Sequence, residues 1–105
     1  MKNCQFGLIG LGVMGQNFVL NVERNGCRVA VYNRTAATTK AFVEGAARGK
    51  KIQPAYTLEE FVGALERPRR IMLLVKAGEP VDDMIRRLSP LLAKGDLIID
   101  GGNSF

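Results

Sequence analysis

Phe6-Gly7-Leu8-Ile9-Gly10-Leu11-Gly12-Val13-Met14-Gly15-Gln16-Asn17 is the stretch from which the fold can be read. Phe6 to Ile9 is a strand-sized apolar run, a glycine-rich turn follows it, and an amphipathic segment follows the turn. Gly10, Gly12 and Gly15 match G-x-G-x-x-G, the pattern of a strand, a tight turn and a helix N-terminus in succession. In that setting Gly10 permits the turn, Gly12 lets a pyrophosphate approach the backbone, and Gly15 lets helix and strand pack closely. The helix N-terminus then offers free N–H groups and the positive end of its dipole to phosphates. With 12 glycines among 105 residues, the same pattern also describes a glycine turn that binds nothing, so the rest of the chain has to decide.

Outward from this stretch the chain alternates strands and helices. The spacing predicts a first helix over about Met14 to Asn25, with Met14, Phe18, Val19 and Val22 on its apolar face and Gly26 as the stop. Arg28 to Tyr32 reads as the second strand. Thr35 can cap a second helix over about Ala36 to Ala47, with Phe42, Val43 and Ala46 turned inward. Ile52 to Tyr56 contains Pro54, which cannot donate to a ladder, so it is at best an edge strand. Thr57-Leu58-Glu59-Glu60 fits a capping box, and Leu58, Phe61, Val62 and Leu65 form the apolar face of a short third helix. Ile71 to Val75 is a continuous apolar run, as expected of a strand buried on both faces of a parallel sheet. Pro80 suits the first turn of a fourth helix in which Val81, Met84, Ile85 and Leu88 repeat the i, i+3, i+4, i+7 spacing, and Pro90 should interrupt it. Gly95 ends that region, and Leu97 to Ile99 is the last strand.

Composition narrows the classes of function. A chain of 105 residues with 47% hydrophobic content is one domain able to bury a modest core. No apolar run is long enough to span a membrane, and the N-terminus shows no signal-peptide pattern. Cys4 and Cys27 are too few for a disulfide scaffold and read as free thiols in a reducing, cytoplasmic setting. The absence of histidine removes the usual zinc sites and the commonest general base, so no metal is expected. The net charge of +5 comes with basic clusters at Arg48-Gly49-Lys50-Lys51 and Arg67-Pro68-Arg69-Arg70. No aromatic residues are interleaved with them, so they read as solvated loops and not as a nucleic-acid surface. A mild positive field also suits an anionic cofactor.

Four strand-helix repeats followed by a fifth strand imply an α/β domain: a doubly wound parallel sheet of order 3-2-1-4-5, Rossmann-like. Ligands in such sheets sit outside the C-terminal strand ends, where the strand order reverses. That edge gathers the glycine turn, Asn33-Arg34-Thr35, Val75-Lys76-Ala77 and Asp100 to Asn103, and a dinucleotide is the expected ligand. The second strand ends in Asn33-Arg34, where an NAD site usually has a carboxylate for the ribose 2′-hydroxyl. A neutral amide beside a guanidinium favours the 2′-phosphate of NADP, although a solvated loop arginine would look the same. Lys76 reads equally as a lysine snorkelling to water, Asn103 as a turn residue, and Asp100 as a brace for the glycine loop.

Taken together, Gly7 to Asn17, Asn33-Arg34-Thr35, Pro68-Arg69-Arg70-Ile71 leading into Leu74-Val75-Lys76-Ala77-Gly78, and Ile98-Ile99-Asp100-Gly101-Gly102-Asn103-Ser104 resemble the N-terminal domain of the decarboxylating 6-phosphogluconate dehydrogenases. The resemblance spans essentially all 105 residues. Related 3-hydroxyacid dehydrogenases share the first two motifs and usually lack the last. Gly12 departs from the alanine common in the family, in the direction of the general fingerprint. The resemblance implies an NADP-dependent oxidative decarboxylation of 6-phosphogluconate to ribulose 5-phosphate, in the pentose phosphate pathway, by a full-length homodimer. It implies that Gly10, Leu11, Gly12, Val13, Met14 and Gly15 hold the pyrophosphate and that Asn33, Arg34 and Thr35 hold the 2′-phosphate. Val75, Lys76 and Ala77 would line the other half of the cofactor, and Asn103 would touch both cofactor and substrate. The family's catalytic lysine and glutamate lie in a later helical domain. The expectation is therefore a cofactor domain, residues 1–105, with no catalytic residue of its own and no turnover by itself. The alternative from another class is a free-standing nucleotide-binding or redox-sensing module.

Overall fold

In the computed structural model, which describes residues 3–75 and 79–101 and the backbone alone at 79 and 80, the alternation of the sequence becomes five strands and four helices. They are β1 (Phe6–Ile9), α1 (Val13–Arg24), β2 (Val29–Tyr32), α2 (Ala36–Glu44), β3 (Ile52–Pro54), α3 (Leu58–Gly63), β4 (Arg70–Leu73), α4 (Glu79–Leu88) and β5 (Leu97–Asp100). The strands pair in parallel in the order β3-β2-β1-β4-β5, the expected doubly wound order. β1 lies at the centre, with Gly7 in register with Ala30 on one side and Ile71 on the other. Pro54 falls on β3, an edge strand, where its missing N–H costs no ladder bond.

Period-two alternation explains how the sheet buries both faces. Ile9, Ala30, Tyr32, Ile71 and Leu73 point to one side, where they meet Phe61 and Leu65 near α3 and Val81, Met84 and Leu88 of α4. Leu8, Val29 and Val31 point to the other, where they meet Val19 of α1 and Phe42 of α2. Gly7 has no side chain because none fits: a Cβ there would come within 2.6 Å of the Phe61 ring. Gly26 takes φ +98° just past α1 and Gly95 φ +97° before β5, the left-handed stops that the sequence placed there. Both cysteines are free thiols. Among the described residues no helix is long and apolar enough to cross a membrane.

Several local expectations are corrected. Met14 does not belong to the buried stripe of α1: it is 63% exposed, and the face toward the sheet is Gly15 and Val19, flanked by Phe18 and Val22. Val13, beside Met14 at the start of α1, is exposed as well. α2 stops at Glu44, three residues earlier than predicted. The chain turns at Gly45, the Ala47 N–H donates to the Phe42 carbonyl at 2.9 Å, and Ala47 is buried in place of Ala46. At α3 the Thr57 hydroxyl accepts from the Glu60 N–H as predicted, but the Glu60 carboxylate reaches the Tyr56 N–H, one residue before the box. Pro90 interrupts α4 as a short 3₁₀ turn, Ser89–Leu91.

Away from the strand ends that face ligands, Arg69 and Asp96 lock the opposite edge. Arg69 Nη1 lies 2.9 Å from Asp96 Oδ2, with the side chains 13% and 1% exposed. The same carboxylate accepts from the backbone N–H groups of Arg69 and Ala93 at 2.8 Å each. Arg69 Nε donates to the Val62 carbonyl at 3.1 Å, tying in the end of α3. Burial pushes the Asp96 carboxyl up, yet hydrogen bonds from Ala93 and Arg69, with the guanidinium charge, outweigh it and hold the group below its ordinary value.

Candidate functional site

The three fingerprint glycines do different work. Gly10 adopts φ +109°, and a Cβ there would run into the Leu74 carbonyl and approach Val75 Cγ1 to 3.1 Å, so the turn lies directly on the end of β4. A Cβ at Gly15 would overlap the Gly10 carbonyl oxygen. These two are demanded by packing. Gly12 is not: its backbone is extended (φ −75°, ψ −172°), and a Cβ built there meets nothing within 4 Å. Gly12 is the N-cap of α1 and opens onto the space above the switch point between β1 and β4.

Side chains hold the turn in place from within. The Gly10 N–H donates to the Tyr32 carbonyl at 3.0 Å, fastening the turn to the end of β2. The Leu11 N–H donates to Asn33 Oδ1 at 2.8 Å, and the Leu11 carbonyl accepts from Gln16 Nε2 at 3.0 Å. Asn33 Nδ2 in turn donates to the Thr35 carbonyl at 3.2 Å. The Asn33 amide therefore braces both loops, a use the sequence did not announce, and Gln16 is a second brace that it missed. An amide directly after the fingerprint's last glycine was the available signal.

Two of the helix starts on this edge are open. α1 and α2 both start without a side-chain cap bond and without an acidic residue in the first turn. Thr35 is the N-cap of α2, but its hydroxyl makes no cap bond, which corrects the capping role expected of it. α3, which follows the outer strand β3, is the opposite: Thr57 caps it, and Glu59 and Glu60 occupy its first turn. Carboxylates thus compensate the start of α3, whereas the starts of α1 and α2 leave their N–H groups and positive dipole ends without a side-chain partner.

Arg34 stands beside these open ends, 63% exposed, with Nη2 3.5 Å from Oδ2 of Asp83 on α4. Asp83 is a neighbour that sequence spacing could not supply, since it comes from the far face of the sheet. Val75 lies against Gly10 as the topology required. Lys76, Ala77 and Asn103 lie outside the described residues. A separate groove of about 400 Å³ between α1 and α2, lined by Gln16, Ala37, Thr38, Ala41, Phe42 and Ala46, shares only Gln16 with the turn.

Comparison with known proteins agrees with this geometry. Residues 5–105 match the family described as the NAD binding domain of 6-phosphogluconate dehydrogenase. The chain is 65% identical over 100 residues to a decarboxylating 6-phosphogluconate dehydrogenase of Synechococcus elongatus, covering 95% of this chain and 21% of that protein. It is 59% identical over 104 residues to the Synechocystis enzyme of the same name, covering 99% and 22%. The chain therefore spans about a fifth of the length of the curated relatives it matches. Plasmodium falciparum 6-phosphogluconate dehydrogenase, described as apo, with its cofactor NADP+ and with its substrate 6-phosphogluconate, superposes with a TM-score of 0.88 at 42% identity, over 97% of this chain and 22% of that one. An open helix end over the switch point, a fingerprint in which only Gly12 is free of packing duty, and a match over 5–105 place the chain in one family: it belongs to the NAD binding domains of 6-phosphogluconate dehydrogenase.

Proposed function

We propose that this chain is the NADP-binding domain, residues 1–105, of a decarboxylating 6-phosphogluconate dehydrogenase. That enzyme oxidises 6-phosphogluconate at its 3-hydroxyl and decarboxylates it to ribulose 5-phosphate and CO2, a step of the pentose phosphate pathway. The observation that carries the reading is Gly12: a fingerprint glycine with ordinary backbone angles and empty space where its side chain would be. The fold does not require a glycine there, and the pyrophosphate approach expected of that fingerprint position supplies a reason for one. The Plasmodium relative is described with NADP+ bound, which supports the same cofactor here.

Gly12, Val13 and Met14 present the first-turn N–H groups of α1 to the pyrophosphate, and the helix dipole favours its charge. Gly10 and Gly15 shape the turn, with Leu11 held by Asn33 and Gln16. Arg34 donates to the 2′-phosphate, with the Thr35 hydroxyl beside it. Val75, Lys76 and Ala77 line the nicotinamide half, and Asn103 contacts cofactor and sugar acid together. When bound, NADP supplies the hydride acceptor, and this chain's part is to bind and orient it. The catalytic groups and most substrate contacts come from residues outside this chain, in a complete enzyme that is a cytoplasmic homodimer. These last assignments rest on the family.

Calorimetric titration of the chain with NADP and with NAD tests the reading. NADP should bind more tightly. Tighter binding of NAD would overturn the choice of cofactor, and binding of neither would overturn the domain's function.

A further inference from the structure

Asp83 is a feature at the cofactor edge that works against the cofactor. It is a carboxylate on α4, reached from the opposite face of the sheet, and it touches the guanidinium assigned to the 2′-phosphate: Arg34 Nη2 to Asp83 Oδ2, 3.5 Å. Two further arginines stand behind it on its own helix. Arg86 Nη1 lies 3.5 Å from Oδ1, and Arg87 Nη1 lies 4.0 Å from Oδ2. The carboxylate is therefore shared by three guanidiniums, two of them fixed at i+3 and i+4 on the same helix.

We infer that Asp83 is a positioning residue that tempers NADP binding through Arg34: it holds Arg34 over the cofactor edge when no 2′-phosphate is present and gives it up when one arrives. The inference rests on the NADP reading above. A dianionic phosphate is a stronger partner for a guanidinium than a carboxylate shared three ways. Release of Arg34 does not strand Asp83, because Arg86 and Arg87 remain. An aspartate with Arg34 as its single partner would resist the exchange, whereas this one is compensated before and after it. With Arg34 63% and Asp83 35% exposed, the pair is screened by water and salt, so its hold on Arg34 is weak and the exchange is reversible. A second consequence concerns NAD. It brings no phosphate to take Arg34, so the guanidinium stays on Asp83, and the adenosine end of the site gains nothing from it.

The test is a thermodynamic cycle on NADP and NAD binding with Asp83→Asn, Arg34→Ala and the double variant, at low and at high salt. Thermal unfolding of each confirms that it is folded. Asparagine keeps the size and helix position of Asp83 while removing its charge. Asp83→Asn should tighten NADP about 2-fold to 5-fold, the size of one exposed ion pair, and the gain should shrink at high salt. NAD should move by less. In the Arg34→Ala background the gain for NADP should largely vanish, which a merely structural role of Asp83 would not produce. An equal gain with and without Arg34 would show direct repulsion of the phosphate and overturn the inference, as would unchanged or weakened NADP binding. Binding of neither cofactor by the parent chain is a different result, which overturns the proposed function and this role of Asp83 with it.

Discussion

The Leu11 N–H donates to Asn33 Oδ1 at 2.8 Å, across 22 positions of sequence. Leu11 is only 2% exposed, so its N–H has no water to turn to. Asn33→Ala should cost about 1–3 kcal/mol, the penalty of a buried donor left unmade. For a domain of this size the unfolding midpoint should fall by roughly 4–8 °C for each kcal/mol. Asn33→Asp keeps the acceptor and should lose less stability, but its charge repels a 2′-phosphate and should weaken NADP binding. Thermal unfolding alongside titration separates the two effects, and an alanine variant as stable as the parent would show the tie to be idle.

Gly12 and Gly15 should fail in opposite ways. Gly12→Val places its side chain in open space, so the fold should survive with a loss of about 1 kcal/mol from the poorer N-cap. NADP binding should disappear, because the isopropyl group fills the path of the pyrophosphate. Gly15→Ala drives a methyl into the Gly10 carbonyl and should destabilise by about 1–3 kcal/mol as helix and turn are forced apart. Denaturant unfolding and cofactor titration of both variants check this. A Gly12→Val protein that binds NADP normally would reassign the whole turn as structural.

Arg34→Ala should weaken NADP on the order of 10-fold to 100-fold, through loss of one or two charge-assisted hydrogen bonds worth about 1.5–3 kcal/mol each. Exposure and the existing ion pair with Asp83 place the loss toward the low end. NAD should lose much less. Calorimetry of both cofactors at one salt concentration reads the difference. Equal losses would mean that Arg34 supports its loop or stacks on the adenine.

Asp96 should make the domain acid-sensitive. Its folded pKa lies below the unfolded value of about 3.9, so its contribution is complete above that value and drains away as pH falls through the folded pKa. Asp96→Asn should lose about 3 kcal/mol at neutral pH, the low end for a broken buried pair because Arg69 keeps 13% exposure. The variant should also lack the parent's steep loss of stability below about pH 4. Unfolding free energies measured from pH 7 to pH 3 decide it, and parallel curves for the two proteins would remove Asp96 from the acid response.

The fold was legible because each strand and helix announces itself by a periodicity that its own neighbours fix. The run Ile71 to Leu74 alternates between the two cores, and Leu58, Phe61, Val62 and Leu65 all reach one core, as their spacing required. Met14 misled because apolar spacing says which residues share a helix face, not whether anything packs against that face, and Val13 and Met14 at the start of α1 stay exposed. Ala46 misled because a turn at Gly45 rotates the chain by one residue. At the candidate site, the glycine turn and the place of Arg34 just past β2 could be read from motif and strand order. Asn33 as a brace, Gln16 beneath Leu11 and Asp83 opposite Arg34 could not, since each depends on which side-chain atoms meet once loops from separate βα units converge.

The uncapped starts of α1 and α2 mean that this sequence is not the most stable one for its own fold. Serine or aspartate at position 12, or glutamate in either first turn, would supply what those helix ends lack, each for roughly 0.3–1 kcal/mol. A laboratory selection for folding alone should therefore drift toward those substitutions, and each one would fill or neutralise the place proposed for a phosphate. Selection for stability and selection for cofactor pull on the same few backbone groups, and in this chain the cofactor has prevailed.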